Sequence, residues 1–253
     1  MFMQKGTKTP EIDLRAIFIS PVRNSASLDA DNPFVSEDVA REWIASVEGE
    51  SGLWRDKILY PAMRLWLGSF SGEHPVVADV GSGQGRAATE LSGYGAYIGI
   101  EPSPFLTERA QEMYAAEDRH YFIGNAYDVP LADGSIDAVI SVNVLFHLAD
   151  VERAIGEIAR ILKVGGRFFI NTADNDAVET WKTIYSNLEI DEKKMQGTAH
   201  VPVNALTLNT FYFQPNDQVM KIMERNGLKV DEVTKSCEKD GQTLFLTLQG
   251  RKV

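Results

Sequence analysis

The rhythm of apolar and polar positions divides the chain into two parts. From Val76 onward, short apolar runs alternate with amphipathic stretches of helical period, the pattern of a parallel sheet covered on both faces. The apolar runs predict strands at Val76–Val80, Tyr97–Ile100, Tyr121–Ile123, Ile136–Val142 and Arg167–Asn171. The helical stretches between them fall at Arg86–Leu91, Pro104–Ala116 and Val151–Leu162. The Gly165-Gly166 pair reads as the stop of the third of these helices and the turn into its strand. Beyond Asn171 the alternation loosens into a helix around Ala177–Leu188 and a mixed stretch through Gln214, which reads as an insertion. A helix at Asn216–Arg225, a stop at Gly227 and two runs, Leu228–Val233 and Thr243–Leu248, then close the chain as an antiparallel hairpin at the sheet edge.

Ahead of Val76 the pattern is different. Residues 1–36 carry Pro10, Pro21 and Pro33 among polar residues and read as an irregular leader with one apolar stretch, Ile17-Phe18-Ile19. Ser36 then stands as a helix N-cap before two acids, with Val39, Trp43, Ile44 and Val47 on one face. A second helix is predicted over Leu53–Leu67, with Trp54, Ile58 and Leu65 on its apolar side and a kink at Pro61.

Composition narrows the partners. A hydrophobic share of 44% over 253 residues is enough for one α/β domain with an extension. A net charge of -11 opposes the phosphate-neutralising contacts that a nucleic-acid partner requires. The single cysteine, Cys237, rules out a disulfide within the chain and a paired-cysteine metal site. No segment has the roughly 18 apolar residues of a membrane span, and the first residues lack the apolar core of a secretory signal. Together these predict a cytoplasmic protein with no membrane partner, its oligomeric state left open.

The most informative segment is Val76–Arg86, an apolar strand that ends in Asp79 and enters a turn containing Gly81, Gly83 and Gly85. Alternate glycines allow positive φ and let a ligand approach where a Cβ would collide. The spacing is G-x-G-x-G; the dinucleotide fingerprint needs its third glycine one residue later. A carboxylate two residues before the first glycine repels a pyrophosphate and favours a cationic sulfonium or ammonium. A second acid, Glu101, ends the next predicted strand, where a carboxylate can accept both hydroxyls of a ribose. Helix N-terminal placement also accounts for Glu101, and an NAD enzyme shows the same acid.

With these residues in place, the chain resembles the class I S-adenosylmethionine-dependent methyltransferases, whose first motif is D/E-x-G-x-G-x-G. The resemblance continues through Gly124-Asn125-Ala126 and Asp133-Gly134-Ser135-Ile136-Asp137, and through Ser141–Asp150, similar to the family's S-x-x-V-L-x-H-L-x-D. It covers residues 75–172 in motif order and implies S-adenosylmethionine as cofactor. Asp79, Gly81, Ser82, Gly83, Glu101, Pro102 and Asn143 are then its binding positions. Asn125 stands where the family usually has Asp, and its amide oxygen is assigned to the adenine amine, with the Ala126 backbone N–H on a ring nitrogen. Trp54 and Arg55 are candidates to close over the methionine carboxylate, a surface ion pair and core packing being the alternative. His147 is the candidate catalytic base, against a purely structural place beside the following helix.

The implied fold is α/β: a Rossmann-like, doubly wound, mostly parallel seven-stranded sheet with an antiparallel last strand. Residues 1–74 form a leader and helical lid, 75–253 the methyltransferase domain, and 174–214 a cap insertion before the last helix, where Trp181, His200, Phe211 and Tyr212 are candidates to line a small-molecule acceptor pocket. Metal-dependent relatives that methylate ubiquinone precursors carry glutamates at the positions of Asn143 and Phe146. Asp174, Asn175 and Asp176 more often cap a helix, so no metal is predicted. The D/N-P-P-Y/F tetrad of amino-methylating DNA enzymes is absent. The receiving atom, whether O, N or C, stays open. An NAD-type oxidoreductase and a catalytically silent cofactor-binding protein stay as alternatives.

Overall fold

The computed structural model describes residues 17–18, 32–49, 52–70, 74–185, 187–191, 196–200, 208–239 and 242–253, and the side chains of all of these except Ile184, His200, Leu208, Glu238 and Lys239. Among them the sheet has the order β3-β2-β1-β4-β5-β10-β9. Its strands are β1 (Val76–Val80), β2 (Ala96–Glu101), β3 (Arg119–Ile123), β4 (Ile136–Val142), β5 (Leu162–Ala173), β9 (Leu228–Lys239) and β10 (Gln242–Lys252). β1 pairs in parallel with both β2 and β4, and β10 runs antiparallel to β5 and β9. The strand order reverses between β1 and β4, and in open α/β sheets ligands sit outside the carboxyl ends of the strands at that switch point.

The pleat sorts the core into two layers. Ala78, Val80, Ile98, Ile100, Val139, Phe168, Ile170, Leu246 and Leu248 pack in one cluster with residues of helices α5 (Val151–Ile161) and α7 (Asn216–Arg225). Val77, Tyr97, Tyr121, Ile140 and Phe169 pack in the other with α2 (Tyr60–Gly68) and α3 (Ala87–Glu90). Helix α4 (Pro104–Tyr114) starts at Ser103, whose Oγ accepts from Leu106 N at 3.4 Å, with Pro104 in its first turn, where a missing N–H costs nothing. Asp150 caps α5 in the same way, accepting from Arg153 N at 2.9 Å.

Several expectations are corrected. Ser36 stands at the N-cap of α1 (Glu37–Glu48), but its side chain makes no capping hydrogen bond; its own N–H is tied to Pro33 O, closing a short 3-10 turn. The predicted helix over Leu53–Leu67 is split. A wide π turn at Arg55–Leu59 precedes α2, and Pro61 falls in the first turn of α2, so the turn change takes the place of a kink. The glycine pair does not end α5, which stops at Ile161 with Leu162 already extended. Gly165, at φ 78°, and Gly166 form a bulge within β5, where pairing with β4 jumps from Ile136↔Leu162 to Ala138↔Arg167.

The irregular stretch after β5 holds helix α6 (Val178–Ile184) and a separate antiparallel sheet of β6 (Glu189–Asp191), β7 (Gln196–His200) and β8 (Leu208–Tyr212). In the leader, Ile17 is buried, its carbonyl accepts from Ala132 N at 2.7 Å, and the Phe18 ring lies 4.1 Å from that of Phe122. The rest of the leader up to Ala30-Asp31, with Pro10, Pro21 and Ile19, lies outside the described residues.

Candidate functional site

The turn after β1 is built from backbone. Gly81, Gly83 and Gly85 all have positive φ, at 82°, 55° and 81°. A Cβ on Gly81 would stand 2.2 Å from Val144 Cγ2, and one on Gly85 2.6 Å from Tyr121. Gly81 N and Ser82 N both donate to Ile100 O, at 2.8 and 3.1 Å, tying the turn to β2. Gly99 beneath it leaves the room: a Cβ there would meet Tyr121 at 2.6 Å and Ser82 Oγ at 2.8 Å.

Asp79 and Glu101 project from the same face of the sheet, since Asp79 lies beside Gly99 in register and Glu101 is two residues on. Asp79 is buried and accepts a short hydrogen bond from the Tyr97 hydroxyl. Burial pushes its carboxyl up to about 7, against the Tyr97 bond, which lowers it. Glu101 spans the turn: Oε2 accepts from Gly83 N at 2.9 Å and Oε1 from Ser103 N at 3.0 Å. Pro102 is half-buried between them.

Around this turn several polar atoms are buried without a protein partner: Ser82 Oγ, Gln84 Nε2, Asn125 Nδ2 and Asn143 Oδ1. Asn143 is one of two non-glycine residues with positive φ among the described residues, at 57°, held there by its N–H to Asn171 O at 2.8 Å. Asn tolerates this region better than other non-glycine residues, because its short polar side chain can hydrogen-bond locally. The reading of Asn125 is corrected. Its amide oxygen accepts from Tyr127 N at 2.9 Å and Asp128 N at 3.0 Å, closing its own turn, and only Nδ2 is left over. A donor cannot pair with an adenine amine; it suits a ring nitrogen. Ala126, next in the chain, is buried.

A second group of side chains faces the ends of β4, β5 and β10. His147, in the 3-10 turn Leu145–His147, lies 4.2 Å from Phe146, tilted at 36°, and 5.4 Å from Phe211 of β8 and 5.9 Å from Phe34. It keeps part of its surface, yet this apolar packing lowers its pKa to about 4. Asn209 Nδ2 stands 3.5 Å from Nδ1. An amide nitrogen only donates, so Nδ1 accepts and the ring proton sits on Nε2.

Trp181 and Phe211 are joined to this group through Phe146 at 5.9 and 5.8 Å. Tyr212 ends β8, and the side chain of His200 lies outside the described ones. The N-terminal helices reach over both groups. Trp43 of α1 comes within 3.1 Å of the Cβ position of Gly83, and Trp54 stacks at 4.2 Å on Phe245. Arg55 is turned toward the end of α1, its Nη2 donating to Val47 O at 2.9 Å, with Asp56 at 3.7 Å and the Tyr60 ring at 5.5 Å.

Asp174 and Asp176 do not cap the helix that follows them. Both bond Asn216 Nδ2, at 2.6 and 2.9 Å, at the start of α7, and Asp174 also binds Lys235 at 2.8 Å and the Thr243 hydroxyl. Burial pushes the Asp174 carboxyl up, and these bonds outweigh it to leave a lowered pKa. Among the described residues no three His, Cys, Asp or Glu side chains are grouped to hold a metal ion, and no helix is long and apolar enough to cross a membrane.

Sequence reasoning missed Tyr97, Gly99 and Val144. A signal was present for Gly99, because glycine inside a buried strand marks a close approach. Tyr97 is two residues earlier on the same face and, when buried, needs a hydroxyl partner.

Known proteins are similar to parts of this chain. Residues 78–170 match the family model described as methyltransferase domain. An O-methyltransferase of Aspergillus sclerotiorum, resE, is 36% identical over 110 residues, which are 41% of this chain and 41% of that protein. Another from Penicillium expansum, cnsE, is 31% identical over 140 residues, 53% of this chain and 48% of that protein. The chain thus spans about half the length of the curated relatives it matches. Two solved structures share the fold at low identity. One is an S-adenosylmethionine dependent methyltransferase of Mesorhizobium loti (TM-score 0.59, 19% identity, covering 76% of this chain and 96% of that one). The other is the Burkholderia thailandensis 1,6-didemethyltoxoflavin-N1-methyltransferase, solved with its acceptor and S-adenosylhomocysteine (TM-score 0.56, 15% identity, covering 93% of each chain).

Proposed function

We propose that this chain, which carries a methyltransferase domain of the class I S-adenosylmethionine-dependent type, binds S-adenosylmethionine at the end of β1 and β2 and methylates an oxygen of a small-molecule acceptor. The observation that carries this reading is the positive-φ glycine turn spanned by Glu101, with Asp79 buried beneath it. The two O-methyltransferases among the relatives support oxygen as the receiving atom.

The cofactor supplies an activated methyl group on a sulfonium. The chain's part is to bind, align and exclude water. Glu101 takes the ribose hydroxyls, Asn125 Nδ2 and the Ala126 N–H take the adenine ring, and Asn143 Oδ1, an unpaired acceptor, takes the ammonium of the methionine end. Asp79 supplies negative charge below the sulfonium; a cation arriving there favours its ionised form. Arg55 reaches the methionine carboxylate by giving up Val47 O, and Trp43 covers the opening, while Trp54, stacked on Phe245, falls on the acceptor side.

His147 acts here as a hydrogen-bond donor through Nε2. Moving a phenol-like proton, of pKa about 10, to an imidazole at about 4 is uphill by roughly 8 kcal/mol, so the acceptor proton leaves to solvent. Calorimetry tests the reading. S-adenosylhomocysteine should bind the full chain and fail to bind Glu101→Gln, and Asp79→Asn should lose affinity for S-adenosylmethionine. Binding of NAD in its place, or binding without methyl transfer across a panel of hydroxylated metabolites, would sink it in favour of an oxidoreductase or a silent binder.

A further inference from the structure

The acceptor half of the site contains two indoles whose buried N–H groups have nothing to donate to. Trp54, ahead of the π turn, and Trp181, on α6, come from opposite ends of the chain and converge on one ring. Trp54 stacks on Phe245 at 4.2 Å and 19°, and Trp181 meets it edge-on at 5.6 Å and 89°. Both Nε1 atoms are buried without a partner, and Trp181 as a whole is only 5% exposed. A buried N–H left unpaired costs about 1–3 kcal/mol, and phenylalanine would supply the same stacking without that cost.

The surroundings say what kind of atom is missing. Phe146 and Phe211 lie nearly parallel, at 12°, with centroids 5.8 Å apart, and His147 lies 4.2 Å from Phe146, tilted at 36°, with its proton on Nε2. Ring faces and donors occur together, and among the described residues no Lys or Arg makes a cation–π contact with these rings. That combination suits an uncharged, planar molecule carrying oxygen acceptors at its edge.

Resting on the proposed methyltransferase reading, we infer that the acceptor is a planar aromatic compound bearing hydroxyl or carbonyl oxygens, held among these rings and read by the indole N–H groups of Trp54 and Trp181.

The test uses the full chain saturated with S-adenosylhomocysteine and two probes of one shape, 2-naphthol and 2-methylnaphthalene, followed by calorimetry. The wild type should bind 2-naphthol about tenfold tighter, the equivalent of one hydrogen bond to an otherwise unpaired donor. Trp181→Phe and Trp54→Phe should each erase most of that preference while leaving 2-methylnaphthalene unchanged. Trp66→Phe is the control, because Trp66 Nε1 is also buried and unpaired but sits under Phe70 and Arg167, away from these rings. Equal binding of both probes, no binding of either, or a preference that survives in both variants overturns the inference and leaves cofactor binding standing. Failure of S-adenosylhomocysteine to bind the wild type overturns the underlying reading instead.

Discussion

The cofactor end and the acceptor end of this site are made of different material. At β1 and β2 the contacts are backbone: three glycines at positive φ, two N–H groups on Ile100 O, and Glu101 bridging Gly83 and Ser103. At β4, β5 and β10 the contacts are side-chain rings contributed by the N-terminal helices, the 3-10 turn after β4, the small second sheet and β10. Backbone contacts demand particular residues at particular spacings. Ring packing accepts many sequences of similar volume.

The strongest way to break the first end is Gly81→Ala. The new methyl stands 2.2 Å from Val144 at a backbone angle alanine avoids, so a loss of about 3 kcal/mol or more is expected, with cofactor binding gone; chemical denaturation and calorimetry check both. An equal-sized methyl added in the ring cluster should be tolerated far better.

The two ends also titrate with opposite sign. Asp79 is raised in the folded state to about 7 from 3.8, so between those values the folded form keeps a proton that the unfolded form has lost. Its effect is to lower stability as pH rises from about 4 to 7, by on the order of 4 kcal/mol in all. Asp79→Asn removes that slope and should be more stable than the wild type at pH 7 to 8, while losing cofactor affinity. Function and stability are then traded at one buried acid.

His147 is depressed to about 4 from 6.5, so the unfolded form binds the extra proton and stability falls as pH drops from 6.5 to 4, by roughly 3 kcal/mol. In the wild type the two slopes offset across that window. His147→Phe should expose the Asp79 slope alone, and Asp79→Asn the His147 slope alone; denaturation midpoints at pH 4.5, 5.5 and 6.5 measure this. Parallel behaviour of the two variants would remove the contrast.

Smallest is Ser82→Ala. Ser82 Oγ is unpaired in the structure, so stability should change by less than about 0.5 kcal/mol while affinity for S-adenosylhomocysteine drops a few-fold, read by calorimetry.

The same contrast explains what was legible in the sequence. The seven strands and the glycine turn were, because β1 is buried on both sides and Gly81, Gly83 and Gly85 each answer a steric demand. The orientation of the Asn125 amide was not legible, since only the structure shows Tyr127 and Asp128 claiming its oxygen. The pairing of Asp79 with Tyr97 depends on strand register, which residue spacing alone does not state. At the other end, Trp181 and Phe211 were candidates without an arrangement. Phe245 meets Trp181, Trp54 meets Phe245 and Phe34 meets His147 only through long-range folding, for which a single sequence carries no periodic signal.

The π turn at Arg55–Leu59 takes up one residue more than a regular α turn. Its wider winding spends that extra residue on about the angle an α-helix covers without it, so what precedes the turn points the way an uninterrupted helix would direct it. Trp54 therefore stays aligned on Phe245 in spite of the inserted residue. A relative with one residue fewer here would wind normally and still present this indole to its substrate.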